Sequence, residues 1–225
     1  MSDPSPSDFL RALNAEQKRV AFRAWVYVVG YLLLTTTPHT YLDFYHWDVY
    51  GAYVWVGFYE WAVTYLLLLI VMKNGEYFAQ GKSSGIGTYF VLALVTGIAI
   101  SLALIVFILP GLYLLMRWLP VYARALTAEE WVGQSMRWSW EATERFQKPL
   151  SLAFLGLVLC YGISLAALFS YDKEVMASYQ LAMIVMNLAL NLAAAWFTVL
   201  GVAAFGMLRE LGLRKGAPDL TAEPA

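Results

Sequence analysis

Residues 87–116 form a run of thirty with no charged side chain. A helix needs about 20 mostly apolar residues to cross a hydrocarbon core about 30 Å thick. The run is too long for one ordinary crossing and slightly short for two. In lipid only helices and closed barrels satisfy their backbone. The residues do not alternate in short segments as barrel strands do, so the run predicts helix. Further apolar runs occupy residues 20–36, 49–72, 149–169 and 179–208. With 60% hydrophobic and 14% charged residues, a chain of 225 residues has more apolar surface than one soluble core could hide. The expected fold class is all-α: a polytopic membrane helix bundle with a cytoplasmic interfacial amphipathic helix.

The long run also contains Pro110 and Gly111. Proline lacks the backbone donor that a helix interior needs, and glycine adds backbone freedom. The pair therefore predicts a hairpin break between a helix over 87–109 and a shorter returning helix over 111–125, which makes six spans. Positive charge supports the count. With both ends inside, the inner segments hold Arg11, Lys18, Arg19, Arg23, Lys73, Lys82, Arg124, Arg137, Arg145, Lys148, Arg209, Arg214 and Lys215, while the outer loops hold only Lys173. A single crossing through 87–125 would place the residues from Arg124 to Lys148 outside. The domain reading is a polar segment at 1–19 without the apolar core of a secretory signal, one transmembrane domain at 20–211, and a disordered tail at 212–225.

Residues 127–148 read as a helix that does not span. Thr127 and Glu130 have capping-box spacing. Glu130, Gln134, Arg137, Glu141, Glu144 and Lys148 recur on one face, with Glu141–Arg145 and Glu144–Lys148 at i,i+4. The other face carries Trp131, Val132, Met136, Trp138, Ala142 and Phe146, with Ser135 and Ser139 among them; Trp140 follows. This pattern suits a helix lying at the inner membrane surface, as a structural connector or as a docking face.

Ionisable groups inside spans are the candidates for chemistry, because each costs at least about 2.5 kcal/mol in lipid. Glu60 lies near the middle of the second span. Arg117 lies about half-way along the fourth, and the two are expected to pair or to share polar partners. The pair would be a proton or substrate relay, a register-setting ion pair, or an arginine reaching for the inner surface. Asn187 and Asn191, at i,i+4, form a polar helix face that can bond across helices. His39, Asp43, His46 and Asp48 are weak metal candidates, but Tyr41, Phe44, Tyr45, Trp47 and Tyr50 interleave with them as in an interfacial aromatic belt. The single cysteine, Cys160, allows no disulfide framework. There is no lysine within a span, no HExxH and no Gly-rich phosphate loop.

Pro110, Gly111, Tyr113, Arg117, Glu129 or Glu130, and Ser139–Trp140 occur in an order that resembles a family of multi-pass bacterial inner-membrane proteins. That family is related to the membrane domain of some glycerophosphoryl diester phosphodiesterases. The likeness covers roughly residues 100–145 and departs where the family has alanine and this chain has Ser135. It implies a six-helix fold in a bacterial inner membrane with both termini cytoplasmic. The phosphodiesterase domain is absent, so no such activity is carried over.

The functional expectation is a non-enzymatic integral membrane protein, associating with a membrane complex, itself or lipid. A carrier of a small or amphiphilic molecule through a polar cavity lined by Glu60, Arg117, Asn187 and Asn191 is the alternative. A lipid-modifying enzyme is the second, though no catalytic constellation is found. No cofactor is expected. The net charge of −1 suggests no nucleic-acid partner.

Overall fold

The computed structural model describes residues 4–45, 49–78, 85–127, 130–170 and 175–214, and their regular structure is entirely helical. In chain order the helices are α1 (Pro6–Tyr45), α2 (Tyr50–Asn74), α3 (Ile86–Val106), α4 (Ile108–Arg117), α5 (Val121–Thr127), α6 (Val132–Thr143), α7 (Gln147–Ala153), α8 (Leu155–Ser170) and α9 (Met176–Arg214). Among the described residues, α1, α2, α3 and the Ser178–Gly212 part of α9 are long and apolar enough to cross a bilayer. Val132–Ala153 and Leu155–Ser164 together make a fifth, broken candidate.

The chain divides into two compact units. One comprises Met1–Arg23, Val71–Phe154 and Val199–Ala225; the other comprises Ala24–Ile70 and Leu155–Thr198. The first unit is built around α3. Both α4 and α5 pack back along it, and α6 packs on α5. Leu92, Val121 and Ala125 form a buried cluster there, covered by Trp118, Tyr122, Val132 and Met136. The first residues of the chain join this unit as helix: Phe9, Leu13 and Val20 are fully buried on α1, and Phe9 stacks on Phe146 with ring centroids 4.1 Å apart. In the second unit α8 and α9 pack so closely that a Cβ on Gly156 would lie 2.8 Å from the Trp196 ring.

Several expected boundaries move. Pro38 does not stop α1, which runs on to Tyr45. Prolines are tolerated inside membrane helices, and in the turn before this one Thr35 and Thr37 hydroxyls donate to Tyr31 O (2.9 Å) and Leu33 O (2.7 Å). The hairpin break is not at Pro110 and Gly111. It is at Phe107, which is extended (φ −156°, ψ 134°), and both residues lie inside α4. The cause is that Pro110 is the third residue of α4, where backbone N–H groups have no intrahelical acceptor, so the missing donor costs nothing. Gly111 instead permits close packing: a Cβ there would sit 2.4 Å from the Leu104 side chain. The returning arm is not one helix over 111–125; a turn at residues 118–120 separates α4 from α5.

The expected surface helix also changes register. Thr127 is the last residue of α5, not an N-cap, and its hydroxyl turns back to Ala123 O and Arg124 O (3.1 and 3.0 Å). The N-cap is Trp131, whose N–H donates to Gln134 Oε1 (3.1 Å). The face that α6 buries carries Ser135, Ser139 and Thr143, whereas Trp131 is 85% exposed. Arg137 and Glu141 form a surface ion pair at 2.8 Å.

Candidate functional site

The two units each hold one cluster of polar side chains among apolar helices. In the second unit the cluster is a seam between α1 and α9. Thr36 and Thr40 are four residues apart on α1; Asn187 and Asn191 are four apart on α9. Because both steps advance one helical turn, two antiparallel helices can bond twice in register. Asn187 Nδ2 donates to Thr40 Oγ1 and Asn191 Nδ2 to Thr36 Oγ1, both at 3.3 Å.

Asp43, one further turn along α1, ends the seam and joins it to α2. Its Oδ2 accepts from Asn187 Nδ2 at 2.7 Å and its Oδ1 from Tyr53 Oη at 2.8 Å, while Tyr179 Oη donates to its backbone oxygen at 3.1 Å. One turn before Asp43, His39 Nε2 lies 2.8 Å from Glu60 Oε1, with both side chains about three-quarters buried. Tyr31 and Thr64 share a hydroxyl contact of 3.2 Å further down the same two helices. The hydrogen bonds of Asn187, Asn191, Asp43 and Tyr31 satisfy polar atoms inside apolar segments, where an unmet one costs several kcal/mol; Glu60 Oε1 has the ion-pair contact with His39 and no hydrogen bond among the described residues.

In the first unit the cluster centres on Arg117, which is 1% exposed. Its guanidinium lies 4.3 Å from the centroid of Trp140 and 5.8 Å from that of Tyr113, and Nη2 donates to Trp140 O at 2.5 Å. Nε and Nη1 have no hydrogen-bond partner among the described residues. The backbone answers in the other direction: Ser139 Oγ donates to Arg117 O at 2.7 Å, and Thr143 Oγ1, which donates to Ser139 O at 2.7 Å, lies 3.4 Å from the same oxygen. The end of α4 and the buried face of α6 thus clamp each other. Nearby, Arg124 reaches Glu130 (3.2 and 2.5 Å) and lies 4.8 Å from the Trp138 ring, which meets Phe205 edge to face.

Glu60 and Arg117, expected to pair, belong to different units, and each has its own contacts there. Glu60 is met by His39, and Arg117 by a carbonyl and two aromatic rings. A planar guanidinium can stack on ring faces while an N–H at its edge donates to a carbonyl. As to metal, His39 and Asp43 are engaged as above and His46 and Asp48 lie outside the described residues. Among the described residues no three His, Cys, Asp or Glu side chains converge. The residues that sequence reasoning missed are Thr36, Thr40, Tyr53 and Tyr179 as partners, and Trp140 as the arginine's acceptor. The matching four-residue steps of Thr36/Thr40 and Asn187/Asn191 were a usable signal for the seam.

Also in the first unit, Arg19 bonds Glu16 with Nε and Nη2 (2.8 and 2.6 Å) and reaches Gly75 O at 3.3 Å. Tyr77, just past α2, donates to Glu16. Burial, and then the Glu16 carboxylate, push the Tyr77 phenol well above its usual range.

Comparisons with protein-family models, with curated proteins and with solved structures find no match to this chain.

Proposed function

We propose that this chain is a non-enzymatic multi-pass membrane protein that works by association within the bilayer: with a larger membrane complex, with itself or with lipid. The observation that carries the reading is where the polar side chains spend their hydrogen bonds. Asn187, Asn191, Asp43 and Glu60 are engaged with neighbouring helices, and Arg117 is closed over by Trp140 and Tyr113. What is left outward is apolar: Leu33, Trp55, Ile98, Ile105 and Phe169 are all more than half exposed. An outer surface of that kind suits lipid and other helices.

The proposed topology keeps six crossings, with α4 and α5 as a short broken fourth and α7–α8 as the fifth. Positive charge on the inner side orients it, with both termini cytoplasmic. At 1.5 Å per residue the 40 residues of α1 reach about 60 Å, twice the hydrocarbon thickness, so its charged first half would project inward. The bacterial inner membrane, and kinship with the family related to phosphodiesterase membrane domains, belong to the same proposal.

Affinity purification from membranes in mild detergent is the test. Stoichiometric recovery of a partner protein, a second copy or a defined lipid is the expected result. A bare, lipid-free monomer would overturn the reading.

The carrier alternative draws on the seam itself, which concentrates His39, Asp43 and Glu60 in one unit. It predicts that Glu60→Gln abolishes an uptake or efflux phenotype while leaving the protein folded and inserted. Unchanged transport in that variant would remove its support.

A further inference from the structure

In the second unit α1 and α2 meet through a file of polar side chains. On α1, Tyr31, Thr35, His39 and Asp43 follow at four-residue steps and so share one ridge of the helix. Their partners on α2 are Thr64, Glu60 and Tyr53. The rungs are Tyr31–Thr64 at 3.2 Å, His39–Glu60 at 2.8 Å and Asp43–Tyr53 at 2.8 Å, while Thr35 turns its hydroxyl back to Tyr31 O. In the turn after Thr64 the file gives way to the buried Leu67 and Leu68. At 1.5 Å per residue Glu60 lies about 15 Å along α2 from Tyr50, half of a hydrocarbon core about 30 Å thick.

Charge selects what this file binds. Among the described residues the second unit contains the carboxylates Asp43 and Glu60, the imidazole His39, and no lysine or arginine. Asp43 is met by two neutral donors, Asn187 Nδ2 and Tyr53 Oη. Glu60 is met by His39. A charge in an apolar interior has to be paired or neutralised, so the positive charge available to answer Glu60 is a proton added to His39. A metal ion suits the unit less well, because among the described residues no three His, Cys, Asp or Glu side chains converge. The contact itself already requires one proton: two bare acceptors repel at 2.8 Å, so Nε2 carries it. A second proton, taken from water, goes to Nδ1, and the pair passes from one net negative charge to none. The titratable groups around the pair are Asp43 and Tyr31 on α1, Tyr53 on α2 and, from α9, Tyr179, whose hydroxyl donates to Asp43 O.

We propose that His39 and Glu60 form a proton-binding site in the middle of the bilayer, between α1 and α2, that exchanges one proton with water. The site rests on α1 and α2 being membrane spans and not on what the protein associates with.

The chain has two histidines, so His46→Gln leaves His39 as the one imidazole to observe. The full-length His46→Gln protein is labelled with ¹⁵N-histidine and reconstituted in phosphatidylcholine vesicles, and solid-state NMR counts the protons on each ring nitrogen from about pH 9 down to pH 5. Nδ1 is expected to gain one proton in that range while Nε2 stays protonated. Adding Glu60→Gln should move the midpoint roughly 1–3 pH units lower, the scale on which a neighbouring charge acts. Glu60→Asp, which keeps the charge but draws it back, should move it less, and Thr64→Val, at the far rung, should leave it in place. An imidazole whose proton count does not change across the range overturns the proposal. So does a midpoint that neither Glu60 variant moves; the aspartate variant carries this test if the glutamine variant does not insert. Resistance to alkaline carbonate extraction is measured alongside. An extractable protein refutes the membrane reading itself, whereas a resistant protein with an unresponsive His39 refutes only the proton site.

Discussion

Replacing Arg117 by methionine should leave the protein as stable as before or make it more stable. The charge-assisted bond from Nη2 to Trp140 O is worth about 1.5–3 kcal/mol. The Trp140 ring, 4.3 Å away, adds up to about 2 kcal/mol in a desolvated site. Tyr113, at 5.8 Å, is near the limit of such contacts and adds little. Against these stand Nε and Nη1, buried without partners at about 1–3 kcal/mol each, and the several kcal/mol needed to take a cation out of water. The costs equal or exceed the gains. Methionine keeps an unbranched apolar stem of similar reach and removes the charge. Trp140 O keeps the Thr143 hydroxyl 3.3 Å away, although that single proton lies closer to Ser139 O, at 2.7 Å. The expected change is between zero and about 2 kcal/mol of stabilisation, as found when other buried ions are replaced by well-packed apolar groups. Alanine, by contrast, removes the stem as well and should cost about 2–5 kcal/mol through the cavity it leaves.

Thermal unfolding in mild detergent, followed by tryptophan fluorescence, reads the difference. A change of 1 kcal/mol corresponds to roughly 2–4 °C for a chain of this size. If methionine proves as damaging as alanine, the reasoning fails, because the charge itself must then be needed by something that satisfies it. Lysine is the informative third variant. It keeps the charge but loses the planar stacking on Trp140, so it should be the least stable of the three unbranched side chains arginine, methionine and lysine.

Gly201→Ala places a Cβ 2.6 Å from the backbone oxygen of Leu119, which cannot swing aside, and should cost about 1–3 kcal/mol in the same melts. Gly206→Ala meets only the Tyr77 ring, at 2.5 Å, and should be milder because a side chain can move. Asn187→Leu removes two bonds and leaves Asp43 with one side-chain partner, Tyr53. It should exceed the average of about 0.6 kcal/mol for a membrane hydrogen bond; Asn191→Leu removes one bond between helices and one within α9, to Asn187 O at 3.0 Å, strands no charge, and should cost less. Tyr77 titrates above its usual range when folded, so its contribution to stability is intact below about pH 10 and is lost as the pH rises through the folded value. Melts recorded from pH 8 to 11 should show that fall, and Tyr77→Phe should flatten it.

The bilayer as solvent was plain from hydropathy, since an uncharged run of thirty residues finds no ready place in a soluble core. The fold-back of α4 and α5 on α3 was legible for the same reason: the run is too long for one crossing. Its turning point was not. Pro110 looks like a break in any window, yet its effect depends on where in a helix it falls, and in the first turn it is harmless. The surface helix was misplaced by a comparable degeneracy. Thr127 with Glu130 has capping-box spacing, but a buried threonine can instead close the helix before it, as Thr127 does toward Ala123 O. Arg117 stood out in the sequence as a charge in an apolar run, and it is buried. Its partner was sought among acids because sequence reveals carboxylates and hides carbonyls; Trp140 O belongs to the backbone and carries no mark in the sequence.

Both clusters solve one problem of folding in lipid. Apolar helices gain nothing by hiding apolar surface from a solvent that is itself apolar, so burial alone cannot choose between a register and the same register shifted by a turn. Polar atoms can. The paired steps Thr36/Thr40 and Asn187/Asn191 match in one register, and a shift of one turn leaves an asparagine facing no hydroxyl. The Arg117 clamp has the same property: Ser139 and Thr143 converge on one carbonyl, while the guanidinium takes the carbonyl of the residue between them, Trp140. A slip would strand a charge. Arg117 can therefore be neutral or costly in total stability and still decide which packing forms. On that reasoning, intramembrane charge here is evidence of specified helix pairing before it is evidence of transport, and the outward apolar faces are where a partner would act.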